Sequence, residues 1–173
     1  MVHTTSLSAS AREGDTRAFA LLLEPVLPGG YRLAFALLRS EWDAEDCVQD
    51  SALRAWRHFR SFREGAELRP WFLKIVANQC RDQLGGRWRS VLKFGDLPPS
   101  ARTGGAANDA GADLRRALQR LPYDQRLAVA LRFYLDLSYE EVGLTMGVSP
   151  KAAQSRTYRA LERLRLQPEL SNE

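Results

Sequence analysis

Residues 137–166, Leu-Ser-Tyr-Glu-Glu-Val-Gly-Leu-Thr-Met-Gly-Val-Ser-Pro-Lys-Ala-Ala-Gln-Ser-Arg-Thr-Tyr-Arg-Ala-Leu-Glu-Arg-Leu-Arg-Leu, spell two helices and the tight turn between them. Ser138 followed by Glu141 is a capping box, in which hydroxyl and carboxylate satisfy each other's backbone donors. Gly147 takes the left-handed conformation that ends the first helix. Ser149 caps a second helix, and Pro150 fits its first position, where a missing N–H costs nothing. That helix sets Lys151, Arg156, Arg159, Arg163 and Arg165 against the single acid Glu162. A capped short helix, a glycine turn and a basic second helix make a helix-turn-helix of the kind that reads duplex DNA. An ordinary hairpin with a solvated basic face is the alternative. The double capping and the one-sided charge favour DNA.

Ala153, Thr157, Ala160, Leu161 and Leu164 follow the rhythm of a core-facing stripe. Lys151, Ser155, Tyr158, Arg159 and Glu162 then face outward, with Gln154 and Arg156 on the flanks. The residue types near the helix start suit base edges in a major groove, so Lys151, Gln154, Ser155 and Arg159 are the expected base readers. Arg156, Arg163 and Arg165 are better placed for phosphates.

The 173 residues are 45% hydrophobic and 27% charged, enough for one or two small domains. No apolar run of eighteen residues marks a membrane span, and the first ten residues lack the basic and apolar regions of a signal peptide. Cys47 and Cys80 sit inside helical patterns without zinc or redox-motif spacing, and read as small core residues of a reducing cytoplasm; a disulfide between them is the less favoured alternative. His3 and His58 are the only histidines, and neither has a nucleophile or ligand companion. No glycine-rich phosphate loop follows a strand. These absences argue against an enzyme and call for no metal or cofactor.

The net charge is only +4, yet Glu41, Asp43, Glu45, Asp46 and Asp50 crowd into ten residues. A chain that merely coats DNA has no use for such a patch. It suggests a protein partner on one face and nucleic acid on another.

Helical periodicity runs through nearly everything, and strand signals are absent. The pattern predicts helices from about Asp15 to Pro25, over 31–38, from an Asp43 cap to about Phe59, and from Pro70 to about Leu84. Further helices are expected over 113–120, 122–135, 138–146 and 149–166. Between them, 94–113 mixes glycine and proline with small polar residues and reads as a tether. The expected architecture is all-α, with helical domains at 10–90 and 113–167 joined by a flexible linker at 94–112. In the fourth helix, Trp71, Phe72, Ile75, Val76, Gln79 and Cys80 face inward, leaving Lys74, Asn78 and Arg81 as an outward stripe. With loop aromatics such as Trp88, such a stripe can grip a single strand; a solvated face is the plain alternative.

Several segments together resemble one family. Gly14-Asp15-Thr16-Arg17-Ala18-Phe19, Asp43-Ala44-Glu45-Asp46-Cys47-Val48-Gln49-Asp50-Ser51-Ala52-Leu53-Arg54-Ala55-Trp56 and Arg69-Pro70-Trp71-Phe72-Leu73-Lys74-Ile75-Val76-Ala77-Asn78 occur in order. Leu121-Pro122 and the helix-turn-helix follow. The chain resembles the extracytoplasmic-function sigma factors. The resemblance implies a region 2 domain, a region 4 domain, and bacterial core RNA polymerase and promoter DNA as partners. It implies that 43–59 docks on the polymerase clamp through Asp43, Asp46, Gln49 and Asp50. Trp71, Lys74, Asn78 and Arg81 would serve the melted minus-ten element, and the second helix of the helix-turn-helix the minus-thirty-five element. A sequestering anti-sigma protein is a further implied partner.

Departures from the family pattern are Gly85-Gly86 where basic residues are usual, Ala77 for a frequent Arg, Gly143 for Ala, and Lys151-Ala152 for Gly-Thr. The promoter sequence therefore does not transfer. The rival reading is a helix-turn-helix repressor or activator that works without polymerase.

Overall fold

A computed structural model describes residues 2–94 and 109–166. The backbone divides into two compact units, Met1–Gly86 and Arg87–Glu173. Every regular element among the described residues is helical. The expected tether falls largely on residues outside those described.

In the first unit, α1 (Val2–Glu13) packs against α2 (Thr16–Leu23). Asp15 caps α2, its Oδ1 accepting from the N–H groups of Arg17 and Ala18. A 3-10 turn, Glu24–Val26, leads into α3 (Leu27–Leu38), which starts four residues before the expected Tyr31. Pro28 explains the early start, because it sits in the first turn, where no N–H is needed. Together, Thr16–Leu38 is long and apolar enough to cross a membrane by length and composition. Its apolar side chains have another use here: Phe19, Leu22, Leu23, Leu33 and Leu37 are buried in the unit.

Helix α4 (Glu41–His58) is capped by Ser40, whose Oγ accepts from the Asp43 N–H, and not by Asp43. Both are capping types three residues apart; Asp43 becomes a first-turn carboxylate at the positive helix end. A 3-10 turn, Phe59–Ser61, follows. Helix α5 (Leu68–Phe94) does not stop near Leu84 but runs through Gly85 and Gly86, so Trp88 belongs to a helix and not to a loop. The core gathers Leu33 and Leu37 from α3, Ala44, Cys47 and Ala55 from α4, and Phe72, Leu73, Val76 and Cys80 from α5.

The second unit contains α6 (Asp109–Arg120), α7 (Tyr123–Val129), α8 (Tyr139–Met146) and α9 (Pro150–Arg165). After α7 the chain widens into a π-turn at Ala130–Tyr134, with Leu135 N–H reaching the Ala130 carbonyl. Ala117 and Leu121 meet Ala160 and Leu164 in the core, flanked by Leu118 and Val129. The capping box of α8 is formed in full, with both hydrogen bonds between Ser138 and Glu141. Gly147 ends α8 at φ 69°, and Ser149 Oγ accepts from Ala152 at the start of α9.

Two glycines mark close approaches. A β-carbon on Gly143 would stand 2.7 Å from the Val148 carbonyl oxygen. Its cost in helix propensity thus accompanies a tight fit of α8 against the turn. On Gly30 a β-carbon would stand 2.7 Å from Phe72 Cε1 and 3.4 Å from Val76 Cγ2. Phe72 is fully buried and has no room to swing away. Gly30→Ala should lower stability by about 1–3 kcal/mol. Gly85, with nothing near its missing β-carbon, should gain roughly 1 kcal/mol on change to Ala. Thermal unfolding midpoints of the two variants check this pair, which should move in opposite directions.

Candidate functional site

On α4 the buried residues are Ala44, Cys47, Ser51 and Ala55. This turns Glu45, Asp46 and Gln49 out to solvent. Trp42 is 84% exposed and Leu53 is 56% exposed. They stand four residues before Asp46 and four after Gln49, so one helical face carries a polar centre between two apolar ends. Sequence reasoning missed both apolar residues, although that spacing was the available signal.

The other two acidic candidates behave differently. Asp50 is half-buried, and its Oδ2 accepts from Gln79 Nε2 at 3.1 Å, drawing the carboxylate toward α5. Asp43 is half-buried in the first turn of α4. Of the acidic patch, Glu41, Glu45 and Asp46 are the exposed members, with Gln49 beside Asp46.

On α5, Lys74, Asn78 and Arg81 are exposed at i, i+4 and i+7, while Phe72, Leu73, Val76, Ala77, Gln79 and Cys80 are buried. Trp71, one turn before Lys74, is half-buried. Its ring centroid lies 4.8 Å from that of Phe62 and 6.0 Å from that of Phe59. Phe59 also meets Phe19, which packs on Trp56. Trp71 is thus part of an aromatic cluster beneath the turn that leads into α5, worth more than its buried area alone. That turn has a second brace from α1. Arg12 Nη2 donates to the Phe62 carbonyl at 3.1 Å, and its Nη1 lies 3.5 Å from Glu64 Oε2. No sequence pattern announced this long-range contact.

The third surface is α9. Ala153, Thr157, Ala160 and Leu164 are buried as the periodicity predicts, and Thr157 Oγ1 donates to the Ala153 carbonyl. Leu161 is exposed at 38%, so the inward stripe is narrower than expected. Lys151, Arg159 and Arg163 are exposed; Gln154 and Ser155 are half-buried on the flank and the outward side. Arg156 is engaged within the unit, its Nη1 3.7 Å from Asp124 Oδ2 on α7. The entry to α8 is held by Arg132, which donates to the Leu137 carbonyl at 2.9 Å and lies over the Tyr139 ring. Among the described residues no group of His, Cys, Asp and Glu is arranged to hold a metal ion.

Comparison with known proteins adds an independent line. Residues 22–90 match the model of sigma-70 region 2, and residues 112–164 match that of sigma-70 region 4. The chain is 34% identical to the RNA polymerase sigma factor CarQ of Myxococcus xanthus, over 89% of this chain and 91% of that protein. It is 31% identical to the RNA polymerase sigma factor SigV of Bacillus subtilis, covering 79% and 82% of the two chains. Among solved structures, the Bartonella quintana sigma factor RpoE, bound to the anti-sigma factor NepR, superposes with a TM-score of 0.71 at 30% identity. That likeness covers 87% of this chain and 96% of the other. Two sigma regions in order, with relatives matched along most of their length, mean that the chain belongs to the extracytoplasmic-function sigma factors, which direct RNA polymerase to promoters.

Proposed function

We propose that this sigma factor divides its work among the three helical faces just described. The outward face of α4, centred on Asp46 and Gln49, docks on core polymerase. The stripe of Lys74, Asn78 and Arg81 on α5 holds the displaced strand of the minus-ten element. The outward face of α9 reads the minus-thirty-five element as duplex, with Lys151, Gln154, Ser155 and Arg159 toward bases and Arg163 toward phosphate. Arg156 reaches phosphate only by leaving Asp124, and Trp71 acts through packing. The observation that carries this reading is the sorting of charge within one unit: exposed acids on α4, and an exposed cation–amide stripe on α5. A regulator acting on duplex DNA alone has no use for that division. The work takes place in the cytoplasm, beside the DNA. A protein of the anti-sigma class is a fitting further partner, since RpoE of Bartonella quintana was solved with one.

Asp46→Arg combined with Gln49→Ala should abolish binding to core polymerase while leaving the helical circular dichroism unchanged, because exposed helix positions tolerate such changes. Full core binding by the folded double variant would remove α4 from this role.

Asn78→Ala should lower transcription from double-stranded promoters. Its amide can bond directionally to an unstacked base but not to one still stacked in duplex. Templates already melted at the minus-ten element should restore part of the activity, and equal activity on both templates would count against the assignment.

Arg159→Ala should relax preference at one position of the upstream element, losing about 1–3 kcal/mol of discrimination. Arg163→Ala should weaken all sequences alike and reduce the salt slope by about one unit. Binding selections on randomised duplexes, at two salt concentrations, separate these outcomes.

A further inference from the structure

The chain has two cysteines, and the fold brings them together from 33 residues apart. Cys47 on α4 and Cys80 on α5 are both fully buried, with their sulfurs 3.4 Å apart. One thiol donates to the other at that distance, and Cys47 also approaches the Val76 carbonyl oxygen at 3.9 Å. A disulfide needs the sulfurs about 1.4 Å closer. A side-chain rotation with slight settling of two packed helices can supply that.

We infer that Cys47 and Cys80 form an oxidisable pair, closing an intramolecular disulfide between α4 and α5 in the folded protein. The oxidant is of the peroxide class. The Cys47 thiolate attacks one peroxide oxygen; the O–O bond breaks, hydroxide leaves and takes up a proton as water, and Cys47 becomes a sulfenic acid. The Cys80 sulfur then attacks that sulfur. The S–S bond forms, the S–O bond breaks, and the Cys80 proton leaves with the hydroxyl as a second water. Two thiols are oxidised by two electrons, and one peroxide is reduced to two waters.

The order follows from the surroundings. The hydrogen bond with Cys80 holds the Cys47 thiol below its ordinary pKa, helped by Ser51 and opposed by burial and by the charges of Asp50 and Asp46. This favours thiolate at Cys47, and Cys80, 3.4 Å away, is placed to resolve. Geometry also sets the consequence. Cys47 lies on the buried side of α4, away from Asp46 and Gln49, and Cys80 on the buried side of α5, away from Lys74 and Asn78. The bridge staples the two helices from within and covers neither exposed face.

The test treats the full chain with hydrogen peroxide in native buffer, then blocks remaining thiols and measures intact mass. The expected product is a monomer that has lost two hydrogens and takes up no blocking reagent, with the peptides containing Cys47 and Cys80 joined on mapping. Its thermal midpoint should rise by several degrees and fall back on reduction, as expected when a crosslink limits the unfolded chain. Core polymerase binding should remain. Cys47→Ala and Cys80→Ala, each folded by circular dichroism, should show no peroxide-dependent rise. Oxidation that appears only after denaturation, a disulfide-linked dimer, or a bridged monomer with a lowered midpoint would overturn the proposal.

Discussion

The first unit depends on one run of small side chains. Ala44, Cys47, Ser51 and Ala55 are the buried face of α4, and none is larger than a thiol. Small residues let helix axes approach closely, so that dispersion contacts between backbones replace those between bulky side chains. Gln79 can then reach Asp50, and Cys47 can touch Cys80. The same arrangement leaves the larger apolar residues Trp42 and Leu53 with no place inside. They stand exposed on the face that also carries Asp46 and Gln49.

The second unit is governed by its turns. Ser138, Gly147 and Ser149 fix where α8 begins, where it ends and where α9 starts. Each satisfies or redirects backbone groups that a helix end leaves open. With both ends fixed, the close seat of Gly143 on the Val148 carbonyl holds α8 against the turn. The outward face of α9 is a by-product of that local geometry, because its rotation follows from which residues are buried beneath it.

These local devices are also what the sequence makes legible. The capping box, the left-handed glycine, the basic helix and the stripe of Lys74, Asn78 and Arg81 each depend on residues within about one or two helical turns. What escaped was non-local or locally ambiguous. Ser40 and Asp43 are both good caps, and only the fold chooses between them. Leu161 has core chemistry but stands at the edge of the buried stripe. The packing of Trp71 on Phe59 and Phe62 was not legible either. The grip of Arg12 on Phe62 spans 50 residues, and no periodicity encodes it.

The pairing of Arg156 with Asp124 has a consequence for ionic balance. An arginine that meets DNA from water frees a condensed cation, and that release makes affinity fall with salt. Arg156 starts from a carboxylate. A phosphate contact by Arg156, where the proposal has it, would trade one anionic partner for another. Such a contact would add less to the salt dependence than one made by an arginine drawn from water. In the free protein Asp124 already stands 3.7 Å from that guanidinium, an anion held beside α9.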